Sequence, residues 1–224
     1  MEKLNSQVKS KQRIADHGEV FTSEREVNAM LDLVKQETER IDSRFLEPAC
    51  GTGNFLAEIL NRKLKVVKSR YSKNKSDYEK YAVVAITSIY GVDILEDNVL
   101  ECRDRMFSIF DEEYTKICKE EANDDCRDAV RYILSRNILH GDALTMETLE
   151  GDPIIFSEWS LVSGNMMKRR DYRFDELLEG GYKEAQISMF GNMEWKYDEE
   201  IKAFIPAPLK EYPLMDYRRV QYVE

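Results

Sequence analysis

The chain has 224 residues, of which 42% are hydrophobic and 34% charged, and its formal net charge is −10. That length suits one full-sized domain, and no run approaches the ~18 apolar residues of a membrane helix. The acidic balance argues against a protein that holds DNA by overall charge, because phosphate neutralisation supplies most nonspecific affinity. The amino terminus has no signal-type apolar run, which points to a cytoplasmic protein. Cys50, Cys102, Cys118 and Cys126 form no C-x-x-C pair, and only His17 and His140 accompany them. Free thiols in a reduced compartment are expected, without a metal site.

Taken in chain order, the first expected element is a helix from about Ser23 to Glu39. Ser23 and Glu26 have capping-box spacing, and Val27, Met30, Leu31 and Val34 repeat at helical intervals. Arg44 to Glu47 reads as a short buried strand, followed by a two-glycine turn and a helix over Asn54 to Leu60. The second half of Tyr81 to Asp93 suits a parallel strand, with a helix before it. Helical patterning returns over Asn98 to Glu120 and Asp124 to Ser135. Ile138 to His140 and Trp159 to Ser163 are further strand candidates, each ending near a glycine. Alternating strands and helices predict a mainly parallel α/β sheet covered by helices on both faces. Beyond Lys168 the pattern weakens, with a hairpin expected around Trp195 to Ile205.

Two basic stretches stand out against the negative total: Arg62 to Lys80, and Lys168-Arg169-Arg170. Each is read either as a solvated face or as a phosphate contact, and the residues alone do not decide.

Chemistry in such a sheet concentrates beyond the carboxyl ends of its strands. Glu47-Pro48-Ala49-Cys50-Gly51-Thr52-Gly53-Asn54-Phe55-Leu56 places glycines at a strand-to-helix turn, where backbone approaches a ligand and a helix terminus favours an anion. Forty residues after Gly53 (93 − 53), Tyr90-Gly91-Val92-Asp93-Ile94 offers an acid at a strand end, suited to ribose hydroxyls or to capping a helix. His140-Gly141-Asp142-Ala143-Leu144 repeats the arrangement.

In this order, the three segments resemble motifs I, II and III of the S-adenosylmethionine (SAM)-dependent adenine-N6 DNA methyltransferases of restriction-modification systems. His17-Gly18-Glu19-Val20-Phe21-Thr22-Ser23 is similar to the motif preceding them, with Ser23 in place of the usual proline. The resemblance spans about residues 13 to 165. It implies a Rossmann-like class I methyltransferase fold in truncated form. Residues 1–168 would form the methyltransferase-like domain, and 169–224 either complete it or form a partner-binding tail. It also implies a SAM site: Phe21 and Thr22 bordering the cofactor, Glu47, Ala49, Gly51 and Gly53 at its methionine part, Asp93 on the ribose, Ile94 against the adenine, and Asp142 with Ala143 at the adenine edge.

The transfer motif of the family, Asn/Asp-Pro-Pro-aromatic, is matched only by Asn165 in Ser163-Gly164-Asn165-Met166-Met167-Lys168. Asn165 is the catalytic candidate. The prolines that fix the acceptor carbonyl and the aromatic that stacks on a flipped base are both replaced. The 59 residues after Asn165 (224 − 165) leave no room for a target-recognition domain. The leading expectation is a methyltransferase-like SAM-binding protein of a restriction-modification or phage-defence system. Its transfer activity would be impaired or dependent on a partner chain in a hetero- or homo-oligomer, with DNA engaged only through that partner or a recognition subunit. Two alternatives stand beside it: a methyltransferase acting on RNA or protein, and a non-catalytic SAM-binding scaffold or sensor.

Overall fold

The computed structural model describes residue 13 and residues 22–179, 195–198 and 203–223. Phe21, with the motif-like segment His17 to Phe21 and the aromatic Phe190, lies outside the described residues. Helix α1 (Glu24–Asp32) begins as the capping box requires: Glu26 N donates to Ser23 Oγ and Ser23 N to the Glu26 carboxylate. The expected single helix breaks at Leu33-Val34, and α2 (Lys35–Thr38) follows as a separate turn. Of its apolar stripe only Val27 and Leu31 are buried, while Met30 and Val34 are exposed. The break lets Thr38 and Ile41 reach the core.

Strand β1 (Phe45–Glu47) leads through the glycine turn into α3 (Asn54–Tyr71), much longer than its first apolar turns suggest. Helix α4 (Lys75–Thr87) starts where Asn74 accepts from Asp77 N, and runs into β2 (Ile89–Asp93). Helix α5 (Glu96–Cys118) and helix α6 (Asp124–Asn137), the latter capped by Asn123, precede β3 (Ile138–His140). The three strands form a parallel sheet in the order β1-β2-β3, with Leu46 opposite Tyr90 and Val92 opposite Leu139.

Among the described residues the sheet's two faces are covered differently. Ile89 and Ile138 share one apolar cluster with α1, α3, α4, α5 and α6. Tyr90 and Val92, pointing the other way as strand alternation demands, pack instead on Ile154, Phe156 and Phe174. On that second face Phe174 opens a helix, and Phe156 belongs to an antiparallel sheet. Its main strands are β4 (Ile155–Ser163) and β5 (Met166–Arg173), joined by Gly164-Asn165. Gly164 has φ +55°, and a two-residue connection with such a glycine first matches the right-handed strand twist. The segment read as a parallel strand ending at Asn165 is therefore one arm of a hairpin.

Helix α7 (Phe174–Glu179) follows, and β6 (Trp195–Asp198) pairs with β7 (Ala203–Pro206) as the expected hairpin. Strands β8 (Lys210–Glu211) and β9 (Met215–Asp216) line the outer edge of β5. A final 3₁₀ turn, Tyr217–Tyr222, packs on α6, and buried Glu79 of α4 accepts hydrogen bonds from Tyr217 Oη at 2.7 Å and from Arg218. Among the described residues no helix is long and apolar enough to cross a membrane, and no group of three or more His, Cys, Asp or Glu is placed to hold a metal ion.

Candidate functional site

The carboxyl ends of β1, β2 and β3 lie side by side, and each carries one of the three glycine-and-acid segments. At the end of β1 the chain turns through Gly51 (φ +52°) and Gly53 (φ +84°), backbone that L side chains rarely adopt. A Cβ on Gly53 would lie 2.6 Å from Cys102 Sγ, so the close packing of α3 on α5 also demands glycine there. Gly53 is the N-cap of α3 and supplies no side chain, leaving the helix's first N–H groups without a capping oxygen. Glu47 is half-buried; burial raises its carboxyl pKa, opposed by a hydrogen bond from Ala49 N. Ala49 is exposed. Cys50 is buried beneath the turn against Cys102, and that contact and desolvation push its thiol pKa far up.

Asp93, at the end of β2, ties the edge together. Its Oδ2 accepts from Gly51 N at 2.8 Å, and its Oδ1 from Leu95 N at 3.0 Å and Asn98 Nδ2 at 3.2 Å. Three of a carboxylate's roughly four acceptor positions are thus occupied. Ile94 follows with 41% of its surface exposed, an apolar side chain beside an acid. His140 Nε2 contacts Ile94 O at 3.1 Å, and Gly141 N donates to Asp93 O, joining β3's end to β2's. Asp142 is partly exposed; its Oδ1 accepts from Leu144 N, and its other oxygen carries no hydrogen bond among the described residues. Ala143 packs toward Tyr90 and Val92 on the second face.

Thr22 also reaches this edge, where its carbonyl accepts from Asn54 Nδ2 at 3.0 Å. Three further residues belong here that sequence reading did not single out. Asn98 anchors Asp93 from the first turn of α5, a role visible in retrospect as an amide five residues after the acid. Arg105 reaches from α5 to Asn54 Oδ1 at 2.6 Å, and Arg13 binds Asp97 at 2.6 Å and Asn98 at 3.1 Å. No local pattern marks either arginine, since each contact spans 50 or more residues.

Asn165 is not brought to this edge. Strand β4 starts at the second-face cluster and runs toward the opposite end of the sheet. Trp159 Nε1 donates there to Asn137 Oδ1, just before β3, and Ser160 and Leu161 stand near Arg44 and Ser88, which precede β1 and β2. The Gly164-Asn165 turn lies beyond them, with Asn165 O accepting from Tyr217 N. Met167 is buried in the main core, and Lys168 pairs with Glu211 at 3.1 Å. Arg169 is also committed: 3% exposed, it holds Asp171 and lies 4.0 Å over the Tyr212 ring. Arg170 pairs with Glu158 and Glu211. The second basic stretch is therefore consumed internally. Much of the first is too, with Arg62, Lys68, Lys75 and Lys80 in ion pairs.

No family model, no curated protein and no solved structure matches the chain.

Proposed function

We propose that the chain binds SAM across the carboxyl edge of β1-β2-β3, in the manner of the adenine-N6 DNA methyltransferases its motifs resemble. One observation carries the reading: three adjacent parallel strands each end in one of the three motifs, in the order of half a dinucleotide-binding sheet. The uncapped start of α3 suits the methionine carboxylate. The remaining acceptor position of Asp93 suits a ribose hydroxyl, exposed Ile94 an adenine face, and the free oxygen of Asp142 the adenine amino group.

Methyl transfer by this chain alone is not part of the proposal. A transfer site needs an acceptor oxygen and a stacking ring beside the sulfonium, around a base taken out of the helix. Asn165 sits in a hairpin turn at the other end of the sheet, and Lys168 is bound to Glu211. A partner chain would supply the base pocket and the DNA contacts in a restriction-modification or phage-defence setting. Absence of that partner would leave a SAM-binding scaffold. The test is incubation of the isolated chain with labelled SAM and adenine-containing DNA. Retained cofactor without methylated DNA is expected; no retained cofactor would overturn the SAM site, and robust sequence-specific methylation by the isolated chain would overturn its need for a partner.

A further inference from the structure

A half-open cleft of about 530 Å³ lies at the amino-terminal edge of the parallel sheet, the end opposite Asp93. Its volume falls within the ~300–1,000 Å³ of small-ligand sites. Its walls come from separate parts of the chain: the segment before β1, the end of α3, α4 and β4. Three features of the lining are chemically specific.

The first is charge. Arg40, Arg44 and Arg70 line the cleft against a single acid, Asp42. Arg44 is spent on Glu158, and Arg40 reaches acids only at 3.6 Å and 3.9 Å. Arg70 is exposed and forms no ion pair among the described residues. Arg70 is thus the unpaired guanidinium at this cavity, with the long-paired Arg40 beside it, and the guanidinium fork suits bidentate recognition of phosphate.

The second feature is aromatic. Tyr71 and Tyr81 stack with centroids 4.1 Å apart and planes 11° from parallel. Lys80 Nζ stands 5.2 Å from the Tyr81 ring centroid, and the stacked pair lines the cleft. A planar ring laid on it extends the stack, an interaction worth ~1–3 kcal/mol for a nucleobase.

The third feature is the floor. Ile41 and Ser88 line the cleft, and behind them fully buried Lys63 donates to Ile41 O, Ser43 O and Ser88 Oγ. Its contacts are all internal, so it fixes the floor of the cleft and is not itself a ligand contact.

We propose that this cleft binds a nucleotide, with its base stacked on Tyr71 and its phosphate held by Arg40 and Arg70. The same chemistry belongs to a free nucleoside monophosphate and to one unit of a single strand. The site is independent of the SAM reading and stands or falls without it.

The test uses the full chain. Trp159 lines the cleft, so titration with AMP, adenosine and a short oligo-dA is followed by tryptophan fluorescence and confirmed by calorimetry. Saturable AMP binding is expected, at least tenfold tighter than adenosine, weakened at least tenfold by Arg70→Glu and also by Tyr71→Ala. Arg70 is exposed, so its replacement leaves the fold intact. Ile94→Glu, at the other edge, should change nothing, which separates this site from adenine entering the SAM crevice. Oligo-dA held much more tightly than AMP assigns the site to a single strand; equal affinities assign it to the free nucleotide. No saturable binding by folded protein, or binding indifferent to Arg70→Glu, overturns the proposal.

Discussion

The two ends of the parallel sheet are built on different principles. The carboxyl edge is made from backbone: positive-φ glycines, an uncapped helix start and one acid holding three donors. The amino edge is made from side chains: arginines, a stacked tyrosine pair and a tryptophan around a cleft. A backbone-built site cannot be altered without disturbing the fold, whereas a side-chain site can be edited freely. Changes to the backbone-built parts of the carboxyl edge should therefore alter ligand binding and stability together, whereas the exposed Ile94 side chain and the amino edge should not show that coupling.

The largest effect expected from this contrast is at Asp93. Asp93→Ala leaves the Gly51 and Leu95 N–H groups and the Asn98 amide without their acceptor, each costing about 1–3 kcal/mol where buried. A loss of about 4 kcal/mol in urea unfolding is expected; a loss under about 1 kcal/mol would show that Asp93 does not tie the edge together. Gly53→Ala combines left-handed backbone strain with the 2.6 Å approach to Cys102 Sγ, and should cost about 3 kcal/mol by the same measurement. Neutral unfolding by that variant would mean that the α3–α5 approach relaxes easily.

Lys63 gives a smaller, pH-dependent effect beside the other edge. Burial lowers its pKa from 10.5 to about 7, against the pull of Asp42 and Glu37. Between those values the unfolded chain binds the proton that the folded chain has released, so stability rises with pH across that window. From pH 7 to about pH 9 the gain is about 2 kcal/mol, and Lys63→Met should flatten it. A wild-type curve that is level or falling over this range would contradict the assignment. The smallest effect is at exposed Ile94, where Ile94→Glu should alter stability by no more than about 0.5 kcal/mol.

What the sequence disclosed follows the range of each interaction. The Ser23–Glu26 capping box, the strand ends at Glu47, Asp93 and His140, and the hairpin near Trp195 are local patterns, and each is present. The Gly164-Asn165 pair was itself a hairpin signal between two strand-like runs. Reading Asn165 as a transfer motif gave that pair to a different fold feature. What covers each face could not be foreseen, because the pattern of β2 shows that both are buried but not by what. The amino-edge cleft was equally hidden, since Arg40, Arg70, Tyr81 and Trp159 meet only in the folded chain.

Calorimetric titration of SAM into the wild-type chain and into Ile94→Glu tests the central claim most directly. Saturable binding by the wild type, lost in a variant of unchanged stability, is the predicted result. No binding by folded wild type, or equal binding by both proteins, would contradict a SAM site at the carboxyl edge.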